Sequence, residues 1–192
     1  MPFDIKVRPV FYFLTLPLLS LIAYATYDIF TMVKVEGVPD LTFPALHIFI
    51  PAWVATFLLL VVCHEMGHVI MGKFLGMKLE EIEFVVGARV YLDREKPRTP
   101  VEQILVSFSG PVLHIIAAIS VIWLTLSTEM YWLSSVGFLS LLDAVINLLP
   151  IMKGSDGRKI LDNTITLVNG GVRKIFHHYK TGKSLVDDPP AV

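Results

Sequence analysis

The chain has 192 residues, of which 54% are hydrophobic and only 17% are charged, and its mean hydropathy is +0.66. A water-soluble domain of this size rarely has such a balance, so the composition predicts a membrane protein. The net charge of −1 gives no information about partners, and we expect no nucleic-acid partner. The single cysteine, Cys63, excludes an intramolecular disulfide and a cysteine-rich metal site.

Four apolar, almost uncharged stretches are each long enough to cross a hydrocarbon core, which needs about 20 helical residues. They lie at about 9–27, 44–72, 101–127 and 130–152. The first has no small-residue cleavage pattern after it, so it reads as a retained anchor and not as a signal peptide. Because no repeat or linker divides the chain, we expect one domain over 1–192, an all-α polytopic membrane protein with about four transmembrane helices.

The placement of the basic residues predicts the orientation of the spans. Lys34 lies between the first two spans, and the other 15 of the 16 Lys and Arg residues fall on one side if the four spans are correct. The positive-inside rule makes that side cytoplasmic. We therefore expect a multi-pass protein of the cell membrane with both termini in the cytoplasm and a cytoplasmic tail over 153–192.

Two segments outside the spans have regular patterns. Residues 81–92, between the second and third spans, mix β-branched and aromatic side chains around Gly87, which predicts a short membrane-associated β-hairpin. After the fourth span, residues 157–168 carry apolar side chains at helical spacing, which predicts a helix that lies on the membrane surface or packs on the loop. Gly170 and Gly171 are expected to end this helix.

The second span contains Cys63-His64-Glu65-Met66-Gly67-His68, an H-E-x-x-H motif in an otherwise apolar helix. Residues four apart lie on one face of a helix, so the two imidazoles can converge on one zinc ion. Glu65 stands about 100° around the helix, where it can serve as general base toward a water molecule that the metal activates. Burying these groups in hydrocarbon without a metal, a partner or a water-filled cavity would cost several kcal/mol, which argues against a chance pentapeptide.

Two imidazoles leave a catalytic zinc ion short of the three protein ligands that it normally has. Asp143 and Asp156 are the two candidates for the third ligand. Asp143 lies ~15 Å from the cytoplasmic end of the fourth span, a depth similar to the ~13 Å of His64 in the second. Asp156 follows Pro150 and lies between two glycines, which could fold the chain back toward the metal. Depth alone favours Asp143.

The motif His64-Glu65-Met66-Gly67-His68, followed two spans later by Asn147-Leu148-Leu149-Pro150 and by Ser155-Asp156-Gly157, resembles the site-2 protease family of intramembrane zinc metalloproteases. That family has a later N-x-x-P-x-x-x-L-D-G pattern whose aspartate is the third zinc ligand. The resemblance implies that Asp156 is this ligand and that Asn147 holds the substrate or the developing oxyanion. The chain has one additional residue between Asn147 and Asp156, and Ser155 replaces the usual leucine.

The third span extends the resemblance, since Ser109-Gly110-Pro111-Val112-Leu113-His114 is similar to the family's G-P-x-x-N segment. His114 stands where asparagine is usual. By this correspondence we expect His114 to line the cavity and to support the metal site or stabilise the oxyanion.

The function implied is zinc-dependent hydrolysis of a peptide bond within or near the transmembrane helix of a single-span membrane protein, that is, regulated intramembrane proteolysis. One Zn²⁺ ion per chain is expected at His64, His68 and Asp156, with Glu65, Asn147 and His114 as catalytic residues. Two other classes remain. A metal-ion transporter could use the same groups as a path for ions, and a non-catalytic membrane scaffold could carry them without using them.

Overall fold

The computed structural model describes residues 4–32, 44–84, 88–93 and 99–181. Within this part of the chain, four helical segments are long and apolar enough to cross a membrane, so the prediction of a helical multi-pass membrane protein is confirmed. A π-helical turn, Phe11–Thr15, continues into α1, Leu16–Met32. The other three are α2, Leu46–Phe74, α3, Pro100–Ser127, and α4, Tyr131–Leu148.

The spans start and stop close to the predicted limits, and local signals explain where they do so. Before α3, the Thr99 hydroxyl accepts a hydrogen bond from the Glu102 amide while the Glu102 carboxylate accepts one from the Thr99 amide, with Pro100 at the first helical position. This capping box satisfies amides that the helix cannot bond internally. The fourth span was predicted to reach residue 152, but α4 ends at Leu148, before Pro150.

The core of the bundle lies toward the end where α2 begins. Buried apolar side chains from three helices meet there: Leu19, Ala23, Phe49, Trp53, Leu60 and Val136. The Tyr27 and Trp132 rings pack against Phe49 with ring centroids 5.2 and 5.3 Å apart. In lipid such interlocking contacts, and not the exclusion of water, hold helices together.

The predicted hairpin is present as β2, Lys78–Phe84, and β3, Ala88–Asp93, paired antiparallel. Gly87, the expected turn residue, lies outside the described residues. A third strand, β1, Asp4–Val7, was not predicted and pairs parallel with β2, which gives the order β1-β2-β3. Parallel pairing joins segments far apart in sequence, so no local pattern announces it.

Ionic contacts fasten β1 to β2. Lys6 is paired with Glu81 and Arg8 with Glu83, while the Tyr91 hydroxyl donates to Glu83 over 3.0 Å. The hydrogen bonds from Arg8 and Tyr91 hold the pKa of Glu83 below its ordinary value. Within the part of the chain that the structure describes, β1 forms one edge of the sheet and β3 the other.

The last element is α5, Asp156–Thr181. The prediction that Gly170 and Gly171 end this helix is wrong, because the helix runs through both. A glycine inside a helix costs about 1 kcal/mol relative to alanine but introduces no clash, so it weakens a helix without stopping it. α5 packs mainly on α3, and this contact holds its first turn beside the bundle.

Candidate metal centre

The α2 helix presents the H-E-x-x-H motif at the end of the span nearer Phe74. His64 and His68 are both buried, with about 8% and 9% of their surfaces exposed. Their rings lie edge to face with centroids 4.9 Å apart, and the two Nε2 atoms are 3.2 Å apart. One helical turn has therefore brought the two imidazoles to one point, as the spacing predicts.

A sharp reversal after α4 brings Asp156 to the same point. The chain turns through Gly154, whose φ of +91° suits glycine, and Asp156 begins α5. Gly157 then packs against the backbone of Leu148, where a Cβ atom would lie 1.9 Å from the carbonyl oxygen. These two glycines let the chain fold back tightly enough for the Asp156 carboxylate, 3% exposed, to reach α2.

The three side chains form a compact triangle of possible metal ligands, His64, His68 and Asp156. The Asp156 Oδ2 atom is 3.0 Å from His64 Nε2 and 3.3 Å from His68 Nε2. Ligand atoms about 2.0–2.2 Å from a tetrahedral zinc ion lie roughly 3.3–3.6 Å from one another. The observed triangle is within a few tenths of an ångström of that size, and two imidazoles with one carboxylate are a donor set typical of catalytic zinc, so the residues fit a metal ion.

A backbone carbonyl fixes the orientation of one imidazole. The His68 Nδ1 atom donates to the carbonyl oxygen of Val106 on α3 over 2.7 Å. Because a carbonyl can only accept, the proton belongs on Nδ1, and the lone pair on Nε2 points into the triangle.

Asn147 and Lys159 hold the carboxylate. The Asn147 amide nitrogen donates to Asp156 Oδ2 over 2.8 Å, and its oxygen accepts from the Asp156 backbone amide over 3.2 Å. The Lys159 ammonium donates to Oδ1 over 3.0 Å. Burial by itself raises the pKa of Asp156, but the hydrogen bonds from His64 and His68 and the charge of Lys159 outweigh it and lower the pKa well below its ordinary value. The carboxyl is therefore ionised, the form in which it binds a metal.

Two glycines allow α2 and α3 to approach closely at the site. A Cβ atom on Gly67 would lie 2.4 Å from the Ser109 carbonyl oxygen, and one on Gly110 would lie 2.3 Å from the His68 ring. Small residues at such a crossing are typical of membrane helices. Gly110 thus provides the surface on which the His68 imidazole rests.

An open pocket of about 560 Å³ adjoins the triangle. Glu65, half-buried, lines it together with the three candidate ligands and Asn147. The β3 strand forms another wall through residues 88–92. A carboxylate, a potential metal site and an edge strand therefore face one space.

The structure separates the other two residues singled out in the sequence from this triangle. His114 is buried, its ring centroid lies 5.4 Å from that of His64, and no hydrogen bond reaches either ring nitrogen from the described residues. It packs beside His64 and is not among the residues that line this pocket, so its role in supporting the metal site or the oxyanion stays a prediction. Asp143 is exposed on α4 and is not part of the triangle, so the structure favours Asp156, which the resemblance implied, over Asp143, which depth alone favoured.

Sequence reasoning missed the Val106 carbonyl and Lys159. No side-chain pattern can announce the first, because any residue would supply the same carbonyl. The second had a signal, since Lys159 follows Asp156 by three residues on a helix, a spacing that places two side chains side by side.

The fold and the site together define a multi-pass helical membrane protein with a buried donor set suited to a metal. Residues 52–134 match the family model of peptidase family M50, the site-2 protease family, which confirms the resemblance and indicates a metallopeptidase. The matched segment includes the H-E-x-x-H motif and all of α3 but ends before Asn147 and Asp156. A comparison with curated proteins finds no match.

Proposed function

We propose that the protein is a zinc-dependent intramembrane endopeptidase that hydrolyses a peptide bond within or near the transmembrane helix of a single-span membrane protein. The observation that carries this proposal is the triangle of His64, His68 and Asp156 beside the Glu65 carboxylate, inside a bundle of apolar helices. The match of residues 52–134 to a peptidase family supports hydrolysis over the other uses of a buried metal.

In this proposal His64, His68 and Asp156 hold one zinc ion. When bound there, zinc would act as a Lewis acid that polarises the substrate carbonyl and makes a water molecule more acidic. Glu65 accepts a proton from the attacking water and passes it to the leaving amine. Asn147 orients Asp156 and is predicted to stabilise the negative charge that develops on the carbonyl oxygen. His114, packed beside His64, is predicted to support the metal site.

A peptide bond inside a helix is shielded by its own hydrogen bonds, so hydrolysis requires a locally extended segment. The β3 strand is suited to bind such an extended substrate segment, because it is an edge strand and also forms a wall of the pocket. Main-chain pairing with an edge is a general mode of peptide recognition. A Val90→Pro substitution on β3 should reduce cleavage strongly, whereas Ile5→Pro, on the opposite edge, should reduce it much less. Equal cleavage by the Val90→Pro variant would refute edge pairing.

We further propose that the protein lies in the cell membrane with both termini in the cytoplasm, because the basic residues cluster on that side of the four spans. The His68 end of α2 is then close to the cytoplasmic surface, from which water reaches the site. Reporter fusions at the two termini test this orientation. Activity of a periplasmic or extracellular reporter at either end would contradict it.

The decisive experiment is co-expression with a library of single-span membrane proteins, comparing wild type with Glu65→Gln. Cleaved products that appear only with the wild-type enzyme, together with about one zinc ion bound to each protein, are the expected result. Zinc flux into vesicles without cleavage would identify a transporter instead. Neither cleavage nor flux, with zinc absent from purified protein, would favour a scaffold.

A further inference from the structure

The Asp143 carboxylate is a charged group in a membrane span that the proposed chemistry does not use. It lies in α4 five residues before the helix ends at Leu148, about 7.5 Å from that end along the helix axis. Its side chain is exposed on the surface of the bundle. Among the described residues, no hydrogen bond or ion pair reaches it, and its only electrostatic partner is His64.

The position of Asp143 relates it to the metal site. Asn147 follows it by four residues, so both side chains lie on the same face of α4, one turn apart. The Asn147 amide contacts Asp156 at 2.8 Å and His64 at 3.3 Å. Asp143 thus lies one helical turn beyond Asn147. It is nearer the middle of the membrane and on the exposed surface of the bundle.

The neighbours of Asp143 on that surface are apolar. Leu142 and Ile146, which flank it on α4, are 55% and 40% exposed. A carboxylate on such a surface costs several kcal/mol in lipid unless a donor compensates for it. The described residues supply none, so Asp143 is available to a donor on a molecule that binds there. The molecule that the proposed function brings to this surface is the membrane segment of the substrate.

We propose that Asp143 is a specificity-determining residue that binds a basic or amide side chain, Lys, Arg, Asn or Gln, in the membrane segment of the substrate. This inference rests on the proposed function. One helical turn spans about 6 Å along α4, which corresponds to about two residues of an extended chain. The preferred side chain therefore lies about two residues from the cleaved bond, on its membrane-interior side.

The experiment uses the full-length protein in proteoliposomes with a set of single-span substrates that differ only in the position of one Lys in an otherwise leucine-rich segment. Wild type should cleave the substrate with Lys two residues from the scissile bond roughly tenfold better than the all-leucine substrate, measured as kcat/KM. In Asp143→Leu this preference should disappear. In Asp143→Lys it should reverse in favour of a substrate with Glu at the same position.

A matched control moves the carboxylate on the same helix. Val145 is 45% exposed and lies on a different face of α4, so Asp143→Leu combined with Val145→Asp keeps the charge of the span but not its position. This double variant should not recover the preference for Lys. Recovery would show a general effect of charge and would overturn the proposal, as would an unchanged preference in Asp143→Leu.

Crosslinking keeps the test independent of turnover. In a Glu65→Gln, Cys63→Ser background with a mild copper-phenanthroline oxidant added, Asp143→Cys should form a disulfide with a substrate cysteine two residues from the scissile bond, more readily than with cysteines four residues to either side. Efficient cleavage by the wild type without a position-dependent crosslink would overturn the role of Asp143 and leave the proposed function intact. Absence of cleavage by the wild type in every substrate would overturn both.

Discussion

In one half of the bundle, which contains residues 46–60 of α2, large apolar side chains join the helices. In the other half, which contains residues 64–72, polar contacts and close backbone approaches join them. The first half, here called the aromatic half, holds Phe49, Trp53 and Leu60. The second, the metal half, holds the triangle of His64, His68 and Asp156. The Trp53 indole donates a hydrogen bond to the Ser135 hydroxyl over 3.2 Å, a buried polar contact between helices in the aromatic half.

This difference teaches how one small bundle can carry a polar site in lipid. The buried polar groups of the triangle compensate for one another only if they are held within hydrogen-bonding distance. The aromatic half provides the tight contacts that keep the helices in register, and the small residues Gly67 and Gly110 let the helices approach where the site needs it. Changes in the two halves should therefore have separable effects.

The largest expected effect lies in the metal half. Glu65→Gln keeps the shape of the side chain but removes the general base, so cleavage should fall roughly a thousandfold while the bound metal and the unfolding transition stay unchanged. Cleavage assays with metal analysis check this. Met66→Leu, at an exposed neighbour on α2, is the matched control and should retain activity. Loss of metal in Glu65→Gln would make Glu65 a ligand and not a base.

The second prediction concerns the two aspartates. Loss of a residue that hydrogen-bonds a metal ligand typically weakens metal binding about 10–100-fold. Asp156→Asn changes a ligand itself, so it should weaken zinc binding by more than that. Asp143→Asn should retain zinc, because Asp143 lies outside the triangle. Competition with a chelator measures both affinities. Retention of metal in Asp156→Asn with loss in Asp143→Asn would reverse the assignment.

In the aromatic half the expected effect is on stability. Trp53 is 1% exposed, so Trp53→Ala should lower the free energy of unfolding by about 2–3 kcal/mol, somewhat less than in a soluble core because lipid replaces the lost contacts. Trp123, 70% exposed, offers the control, and Trp123→Ala should change little. Titration with a denaturing detergent, followed by circular dichroism, measures both. A large loss of metal affinity in folded Trp53→Ala would show that the halves are not separable.

The smallest effect that sharpens the comparison is at Gly110. A Cβ atom there would displace the His68 ring, so Gly110→Ala should weaken metal binding about 10–100-fold, as do other changes to the groups that support a ligand. Gly170 on α5 is the control, since an added Cβ would meet nothing within 4 Å. Gly170→Ala should leave metal binding unchanged and stabilise the helix by up to about 1 kcal/mol. Identical metal affinity in the two variants would contradict the close contact between Gly110 and His68.

Much of the fold follows from local patterns. Hydropathy predicted the four spans within a few residues, except at the end of the fourth, and the β-branched and aromatic residues of 81–92 predicted β2 and β3. The parallel strand β1 escaped prediction because its partner lies some 75 residues away. The course of α5 through Gly170 escaped because a glycine lowers the stability of a helix without stopping it, so the residue alone does not fix where the helix ends.

The sequence by itself determined the convergence of His64 and His68, because four residues on a helix make one turn whatever surrounds them. The residues alone left Asp143 and Asp156 open and the family resemblance favoured Asp156, but only the tertiary structure shows why, because the position of Asp156 depends on how the chain reverses after Pro150. Residue-by-residue depth assumes a straight helix and favours Asp143, whereas Gly154 and Gly157 let the chain turn back and bring Asp156 within 3.0 Å of His64. A loop that folds back against its own helix is a long-range event, and its outcome is set by contacts that no local pattern contains.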